Sequence, residues 1–185
     1  MLQPESSILE LCHVVTDMDA ALRHWIDVLG VGPFFVGEME LEEGQYHRGQ
    51  PMPVALQVAF GCSGGLVIEL IKPLRNLPSV FREMLESRGP GYHHVMPRLD
   101  YDIGFARLSE AGYELAYHGC LPSGERMALF DTRNDNGGFI ELMDFSPAIL
   151  GQLEAIAQAH RDWDGRSDPI RPLTSLFEPA APAGS

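Results

Sequence analysis

The chain carries an internal duplication, and a repeat of this size decides the architecture before local propensities do. In the first half, His13 leads into an aspartate, a helical pattern and a glycine. His94 begins the same order in the second half. Each half then ends on a glycine pair followed by the tripeptide Ile-Glu-Leu, at 68–70 and 140–142. The shared order indicates two copies of one structural unit.

Each copy predicts a strand, a helix and three further strands. In the first copy the apolar run 8–16 is a strand, and Thr16 or Asp17 caps a helix with one apolar face. The other predicted strands of that copy lie near 33–39, 53–61 and 65–72. The stretch 42–52 is expected to be a loop. The second copy is predicted as strand 91–98, helix 101–111 and strands near 113–118, 125–130 and 138–144.

The predicted fold class is therefore α+β, with two βαβββ modules that form one concave mixed β-sheet cup. We expect the first and last strands of the modules to lie side by side. The predicted divisions are a first module, a connecting helix, a second module, and a C-terminal helix with a flexible tail, at 1–76, 77–90, 91–145 and 146–185.

The C-terminal helix is predicted to begin at Ser146, with Pro147 in its first turn. Its apolar face suits either a dimer interface or packing against the chain's own sheet. The Pro-, Ala- and Ser-rich stretch from about 165 is expected to be poorly ordered or to lie over the surface.

The charge balance excludes two classes of partner. The 26 acidic residues outnumber the 13 basic ones, the formal net charge is −13, and Lys72 is the only lysine. Such a chain lacks the basic stripe that neutralises nucleic-acid phosphates or anionic membranes. No apolar run approaches the roughly 20 residues needed to cross a bilayer, and the N-terminus has no signal-peptide pattern. We therefore expect a cytoplasmic protein that binds a small molecule.

Four repeated ionisable residues stand in otherwise apolar rows. Side chains alternate between the two faces of a strand, so His13 and His94 each share a face with apolar neighbours on the first strand of a module. Glu69 and Glu141 do so on the last strand of each module. One interpretation is two satisfied core histidines and two glutamates on a solvated face. Because the pattern recurs in both halves, we favour a metal site: two neutral imidazoles and two carboxylates neutralise a divalent cation.

The sequence resembles the vicinal oxygen chelate, or glyoxalase, superfamily over residues 8–144. The segments that carry the resemblance are HVVTDMDAALRHWIDVLG, GGLVIELIKPL, the HH pair that opens the second half, and GGFIEL. The resemblance implies one divalent ion (Co, Ni, Mn, Zn, Fe or Mg) held by His13, Glu69, His94 and Glu141. Of the adjacent histidines, His94 is assigned as the ligand because an apolar pair follows it, as it does His13. His93 is then expected on the helix side.

Within that superfamily the sequence is most similar to methylmalonyl-CoA epimerases. The likeness implies a lyase or isomerase that chelates a carbonyl or thioester substrate and transfers a proton through a metal-stabilised enolate. Glu141 is the first candidate for the proton carrier, with Glu69 opposite it. However, strand 53–60 lacks the second carboxylate that epimerase-like members use, and coenzyme A phosphates favour a basic rim. A smaller, less charged substrate is therefore an alternative.

The remaining expectations concern the substrate pocket, the arginines, and competing functions. The predicted substrate-binding residues are Tyr46, His47, Gln57, Tyr92 and Arg126. The predicted apolar wall comprises Met96, Phe139 and Met143. The arginines that could clamp a charged substrate are Arg48, Arg98, Arg126 and Arg133.

Lactoylglutathione lyase (glyoxalase I) is the alternative function; an extradiol dioxygenase or a non-catalytic small-molecule-binding protein fits less well. The resemblance also implies a homodimer.

Overall fold

Eleven strands form one curled mixed sheet in this computed structural model, which describes residues 1–177. The strands are β1 (Ile8–Val14), β2 (Phe34–Leu41), β3 (Tyr46–His47), β4 (Gln50–Pro51), β5 (Val54–Ser63), β6 (Leu66–Pro73), β7 (Gly91–Pro97), β8 (Glu114–Cys120), β9 (Arg126–Asp131), β10 (Phe139–Met143) and β11 (Ile170–Pro172). The helices are α1 (Met18–Arg23), α2 (Val80–Arg88), α3 (Tyr101–Glu110), α4 (Arg133–Asn136) and α5 (Pro147–Asp162). A π-helical turn, His24–Val28, extends α1, and a 3₁₀ turn, Leu173–Leu176, follows β11.

The two predicted modules are confirmed. The order across the sheet is β11-β2-β5-β6-β1-β7-β10-β9-β8-β3-β4. In each module the last strand pairs in parallel with the first, β6 with β1 and β10 with β7. Strands β1 and β7 pair antiparallel and join the modules. Four strands, β6-β1-β7-β10, thus occupy the centre of the sheet, and all belong to one chain.

Equivalent helix caps begin the first helix of each module. The Asp17 carboxylate accepts a hydrogen bond from the Ala20 amide, and that of Asp100 accepts one from the Ile103 amide, both at 3.0 Å. An aspartate at this position satisfies an amide that the first helical turn leaves free. Helix α5 begins as predicted, with Ser146 as its cap and Pro147 in the first turn.

A hairpin from the first module completes the edge of the second. Strands β3 and β4, within a segment that was expected to be a loop, form this hairpin, and β3 pairs with β8. Arg48 and Gly49, the residues between the two strands, have φ angles of 46° and 76°. Two left-handed residues produce the tight turn whose twist suits a hairpin. The hairpin therefore ties residues of the first module to the second.

The C-terminal segment also differs from its expectation. Strand β11 pairs in parallel with β2, and the 3₁₀ turn packs beside it, so residues up to 177 are part of the folded unit rather than a loose tail. The Trp163 indole donates a hydrogen bond to the Ser167 carbonyl at 2.7 Å, which fixes the turn before β11. The expected flexible tail beyond residue 177 lies outside the described residues.

The helices cover both faces of the sheet. Helix α1 packs Met18 and Leu22 on the convex face of the first module, and α3 packs Leu108 on that of the second. Helix α5 places its apolar face against the chain's own strands, contacting β5 and β6. Between residues 1 and 177, no helix is long and apolar enough to cross a membrane.

Candidate metal centre

Four ionisable side chains converge on the concave face at the middle of the sheet. The four central strands β6, β1, β7 and β10 contribute one each: Glu69, Glu10, His94 and Glu141. All four are buried, with exposed fractions of 7%, 3%, 1% and 8% respectively. One ligand atom from each lies within 4.8 Å of those from the other three. We call this group the acidic cluster.

The imidazole of His94 is the shared neighbour of the three carboxylates. Its Nε2 lies 2.7 Å from Oε2 of Glu141, 3.4 Å from Oε2 of Glu69 and 3.5 Å from Oε1 of Glu10. Within the described chain, neither Nε2 of His94 nor Oε2 of Glu69 has a hydrogen-bond partner of acceptable geometry. Buried polar atoms without partners are costly and rare. The donor set thus fits a divalent cation, which would satisfy them.

A second histidine orients the first from behind. Nδ1 of His93 and Nδ1 of His94 are 2.8 Å apart, so one of them carries the proton and donates to the other. His93 is fully buried, stacked between the rings of Phe81 and Phe139. Burial, together with the neighbouring His94, holds the pKa of His93 well below its usual value. His93 was expected on the helix side; it does contact α2 through Phe81, but it also supports His94.

A strand irregularity permits this pairing of adjacent histidines. Cys12 on β1 lies opposite His94, whereas His13 lies opposite Tyr92, so His93 has no partner across this strand pair. Such a bulge locally breaks the alternation of side chains. The bulge allows the imidazoles of His93 and His94 to contact each other in the interior of the protein.

Two carboxylates of the cluster, those of Glu69 and Glu10, have raised pKa values. Burial, and then the carboxylate of Glu10, raise the pKa of Glu69 well above its ordinary value. Burial likewise raises the pKa of Glu10. A cation among them would reverse this effect because it favours the charged form of each ligand.

The structure does not bring His13 to the acidic cluster, which corrects its assignment as a ligand. Side chains alternate along β1, so Glu10 faces the concave side and His13 faces the convex side. There the His13 ring lies edge-on to that of Trp25, with ring centroids 5.3 Å apart. Burial lowers the pKa of His13. Glu10 takes the place in the cluster that was expected for His13.

The helix caps contain the signal that identifies Glu10. His94 lies six residues before Asp100, the cap of α3. In the first module Glu10 lies seven residues before the corresponding cap Asp17, whereas His13 lies only four residues before it. Counting from the caps rather than matching histidine to histidine favours Glu10.

A cavity of about 580 Å³ opens over the acidic cluster. Glu10, Glu69 and Glu141 lie among its lining residues, and His94 lies beneath them. Met96 and Met143 belong to its apolar lining, as expected. Phe139 instead stacks on His93. Helix α5 and residues 172–177 complete the lining, so the C-terminal segment is part of the cavity.

The five residues predicted to bind substrate do not line this cavity. Tyr46 and His47 lie on β3, which pairs with the outer edge of β8. The Tyr46 ring stacks on that of His118, with centroids 4.6 Å apart. Nε2 of His47 lies 2.7 Å from the Glu83 carboxylate on α2. Both residues therefore serve the hairpin.

The other three point away or are already paired. Gln57 directly follows the lining residue Leu56 on β5, and it points to the opposite face of the strand because side chains alternate. Tyr92 lies opposite His13 across the β1–β7 pair. The Arg126 guanidinium donates hydrogen bonds to Asp102 and Asp144 at the surface.

The arginines that were predicted to clamp a charged substrate bind other groups of the protein instead. Arg48 and Arg133 both bind Asp131, at 2.8 and 2.5 Å. Arg98 donates a hydrogen bond to the backbone carbonyl of Gln3 at 2.8 Å. These residues, like Arg126, therefore do not supply positive charge to the cavity.

Comparison with known protein families gives a match over residues 10–128 to the Glyoxalase/Bleomycin resistance protein/Dioxygenase superfamily. The chain belongs to this superfamily. The match includes the first module, the connecting helix and most of the second module.

Solved structures share the superfamily fold with this chain at low sequence identity. Methylmalonyl-CoA epimerase from Mycobacterium tuberculosis is 23% identical with a TM-score of 0.56, and the alignment covers 81% of this chain and 96% of that one. A hypothetical protein from Bacillus halodurans is 18% identical with a TM-score of 0.54, covering 76% and 94%. A Streptomyces coelicolor methylmalonyl-CoA epimerase variant in complex with 2-nitronate-propionyl-CoA is 20% identical with a TM-score of 0.51, covering 77% and 99%. A comparison with curated proteins finds no match.

Proposed function

We propose that this superfamily member is a divalent-metal-dependent isomerase or lyase that moves a proton at the carbon next to a carbonyl group of a small substrate. The observation that carries the proposal is the acidic cluster: three buried carboxylates surround Nε2 of His94, which has no hydrogen-bond partner of acceptable geometry within residues 1–177. The similarity to methylmalonyl-CoA epimerases supports an epimerase-like reaction.

The proposed ligands are Glu10, Glu69, His94 and Glu141. This set differs from the expected one because a third carboxylate replaces a second imidazole. Oxygen-rich sites suit Mg²⁺ and Mn²⁺, whereas imidazole suits Zn²⁺, Ni²⁺ and Cu²⁺. We therefore propose that the site prefers Mn²⁺ or Mg²⁺ to Zn²⁺.

His93 prepares His94 for this role. A ligating Nε2 must be free of its proton, so the proton of His94 then sits on Nδ1 and is donated to Nδ1 of His93. Neutral His93 accepts it, because burial keeps this residue uncharged. Such a hydrogen bond fixes the tautomer and ring orientation of a metal-binding histidine.

The carboxylates that line the cavity are the proposed proton carriers. A divalent cation, when bound, acts as a Lewis acid that acidifies a C–H bond beside a carbonyl group. Glu69 and Glu141 lie on β6 and β10, the outer two of the four central strands, and so approach the centre of the cavity floor from opposite sides. Two carboxylates so placed can take a proton from one face of a carbon and return one to the other. Glu141 remains the first candidate for the base.

The donor set disfavours one competitor. Extradiol dioxygenases bind iron through two histidines and one carboxylate. This cluster instead has one histidine and three carboxylates. Glyoxalase I chemistry uses a comparable proton transfer. A direct assay with methylglyoxal and glutathione distinguishes glyoxalase I from the proposed epimerase-like enzyme. We expect this chain to show no turnover in that assay. A homodimer stays a prediction.

Metal content and proton exchange test the proposal together. Full-length protein is reconstituted with Mn²⁺, Mg²⁺, Co²⁺, Ni²⁺ and Zn²⁺ and measured by plasma mass spectrometry. We expect near-stoichiometric binding, and exchange of substrate C–H for deuterium in heavy water across a panel of esters, thioesters and hydroxyketones. Glu141→Gln should abolish exchange. Glu38→Gln, which removes an exposed carboxylate that lines the same cavity outside the cluster, should not. Failure of the wild-type protein to bind any of these ions would refute the proposal.

A further inference from the structure

The cavity above the acidic cluster has mostly apolar walls. They are formed by both modules, α5 and the C-terminal segment. Its volume of about 580 Å³ lies in the range of roughly 300–1,000 Å³ that is usual for small-molecule sites. A few polar side chains, such as Gln152 on α5, interrupt the apolar lining.

The charges around the cavity all have one sign. The charged side chains among its described lining residues are Glu10, Glu38, Glu69 and Glu141; this lining includes no lysine, arginine or histidine. A divalent cation in the acidic cluster would still leave a negative excess against its three carboxylates. Charges interact strongly where apolar walls exclude water. An anionic ligand would therefore meet repulsion without a compensating cation.

The basic residues that could offset this repulsion are held elsewhere. Arg48 and Arg133 bind Asp131, and Arg126 binds Asp102 and Asp144, all outside the cavity lining. Recruiting any of them would break a hydrogen-bonded ion pair. Among residues 1–177, the cavity lining therefore offers no cationic side chain to a phosphate or carboxylate group.

The C-terminal segment adds to the apolar lining. Leu173 and Phe177 line the cavity beside Ile156 of α5. Leu173 sits directly on Gly37 of β2, where an added Cβ would lie 2.7 Å from the Leu173 Cβ. Nδ1 of His160 on α5 donates a hydrogen bond to the Gly32 carbonyl at 2.7 Å. This part of the wall is therefore packed onto the first module.

From this distribution we infer that the ligand is a neutral, predominantly apolar molecule that presents one carbonyl or hydroxyl group to the acidic cluster, rather than an anionic conjugate such as a coenzyme A thioester or a glutathione adduct. The inference rests on the proposed function of the same site and narrows its substrate class. The apolar body packs against the methionine and leucine side chains of the wall, and the oxygen-bearing group faces the cluster.

Probes that share one acyl or alkyl chain test this inference. Full-length protein, with and without Mn²⁺, is titrated with methyl octanoate, octanoate, octylammonium and octanoyl-coenzyme A in competition with the neutral dye Nile red. We expect the ester to bind at least about tenfold more tightly than octanoate or the coenzyme A thioester, a difference of about 1.4 kcal/mol. Octylammonium should not bind more tightly than the ester to the Mn²⁺-loaded protein.

A charge variant separates electrostatics from shape. Gln152→Arg places a cation on the cavity lining, so it should raise octanoate affinity and narrow its gap to the ester. Gln158→Arg, an exposed position on the same helix, is the matched control and should leave the gap unchanged.

Three outcomes of the probe titrations would overturn the inference. Equal or tighter binding of octanoate or octanoyl-coenzyme A shows an anionic ligand class, and tightest binding of octylammonium shows a cationic one. Absence of displacement by any probe also contradicts an apolar ligand of this class. Manganese content is measured in parallel by mass spectrometry. If the protein binds no metal ion but still binds the ester most tightly, the proposed function is refuted and this inference stands.

Discussion

Glu10 and His13 are three residues apart on β1 and face opposite sides of the sheet. Glu10 is 3% exposed and lies 3.5 Å from Nε2 of His94, while His13 lies against Trp25 behind the sheet. Two ionisable groups on one strand therefore have separate environments and separable roles.

Substitution of these two residues by glutamine should affect metal binding very differently. Glu10→Gln removes a charged oxygen from the cluster, and we expect Mn²⁺ affinity to fall by more than about 10-fold, the lower bound for changes to groups that merely support ligands. His13→Gln should leave affinity unchanged. Titration followed by electron paramagnetic resonance measures both. A greater loss from His13→Gln than from Glu10→Gln would restore His13 as a ligand.

Glu10→His converts the cluster to two imidazoles and two carboxylates. Imidazole favours Zn²⁺ and Ni²⁺, and carboxylate favours Mg²⁺ and Mn²⁺. We expect the ratio of Zn²⁺ to Mn²⁺ affinity to rise by about tenfold or more. Competition between the two ions, read by mass spectrometry of the desalted protein, gives this ratio. An unchanged ratio would show that Glu10 is not a ligand.

The duplication predicted the two modules because their order of elements survives in both halves. The paired Ile-Glu-Leu segments correctly placed Glu69 and Glu141 on the last strands at the centre of the sheet. The first ligand position was harder to predict because β1 contains an ionisable residue on each face. Periodicity alone does not reveal which face is concave. Matching histidine to histidine selected His13, whereas distance from the helix cap selects Glu10.

The substrate pocket was less predictable than the centre of the sheet. Tyr46 and His47 lie in a segment that the sequence predicts to be a loop. Their β-pairing with Tyr117 and His118 depends on a strand roughly seventy residues later in the chain. The C-terminal wall is likewise a tertiary feature. Residues 170–172 are too short a run to signal a strand by alternation, and they form one because the edge of β2 is available.

His93→Phe tests the support for the central imidazole. Phenylalanine preserves the stack with Phe81 and Phe139 but cannot accept the hydrogen bond from His94. We expect metal affinity to fall by about 10–100-fold, as for other partners of metal-binding histidines. His93→Asn offers a hydrogen-bonding group at shorter reach and should recover part of the loss. Equal affinity of His93→Phe and wild type would remove His93 from this role.

An ion-pair network between the hairpin and the second module should make stability depend on pH. Burial raises the pKa of Asp131, but hydrogen bonds from Arg133 and Arg48 outweigh it and hold the pKa well below its usual value. A folded-state pKa below the unfolded one contributes stability above the unfolded pKa, near 4, which is lost as the pH falls toward the folded pKa.

We therefore expect Asp131→Asn to lower the free energy of unfolding by about 1–2 kcal/mol at neutral pH. The difference from wild type should shrink below about pH 4 because the wild-type carboxyl then begins to lose its charge in the unfolded state and the network weakens. Urea denaturation across this pH range measures both. Asp27→Asn, at an exposed position, is the control. A difference that stays constant across the range would contradict the assigned role.

Gly37→Val should loosen the C-terminal wall of the cavity. A side chain at this position on β2 would approach the Leu173 Cβ within 2.7 Å, so the segment after β11 must shift outward. Overpacking of this kind costs about 1–3 kcal/mol of stability. Because Leu173 lines the cavity, Nile red affinity should fall along with thermal stability. Gly151→Ala on α5 is the control: nothing lies within 4 Å of its added Cβ, and loss of a helical glycine should stabilise by about 0.5–1 kcal/mol. Unchanged dye affinity in Gly37→Val would show that the position of Leu173 does not shape the ligand site.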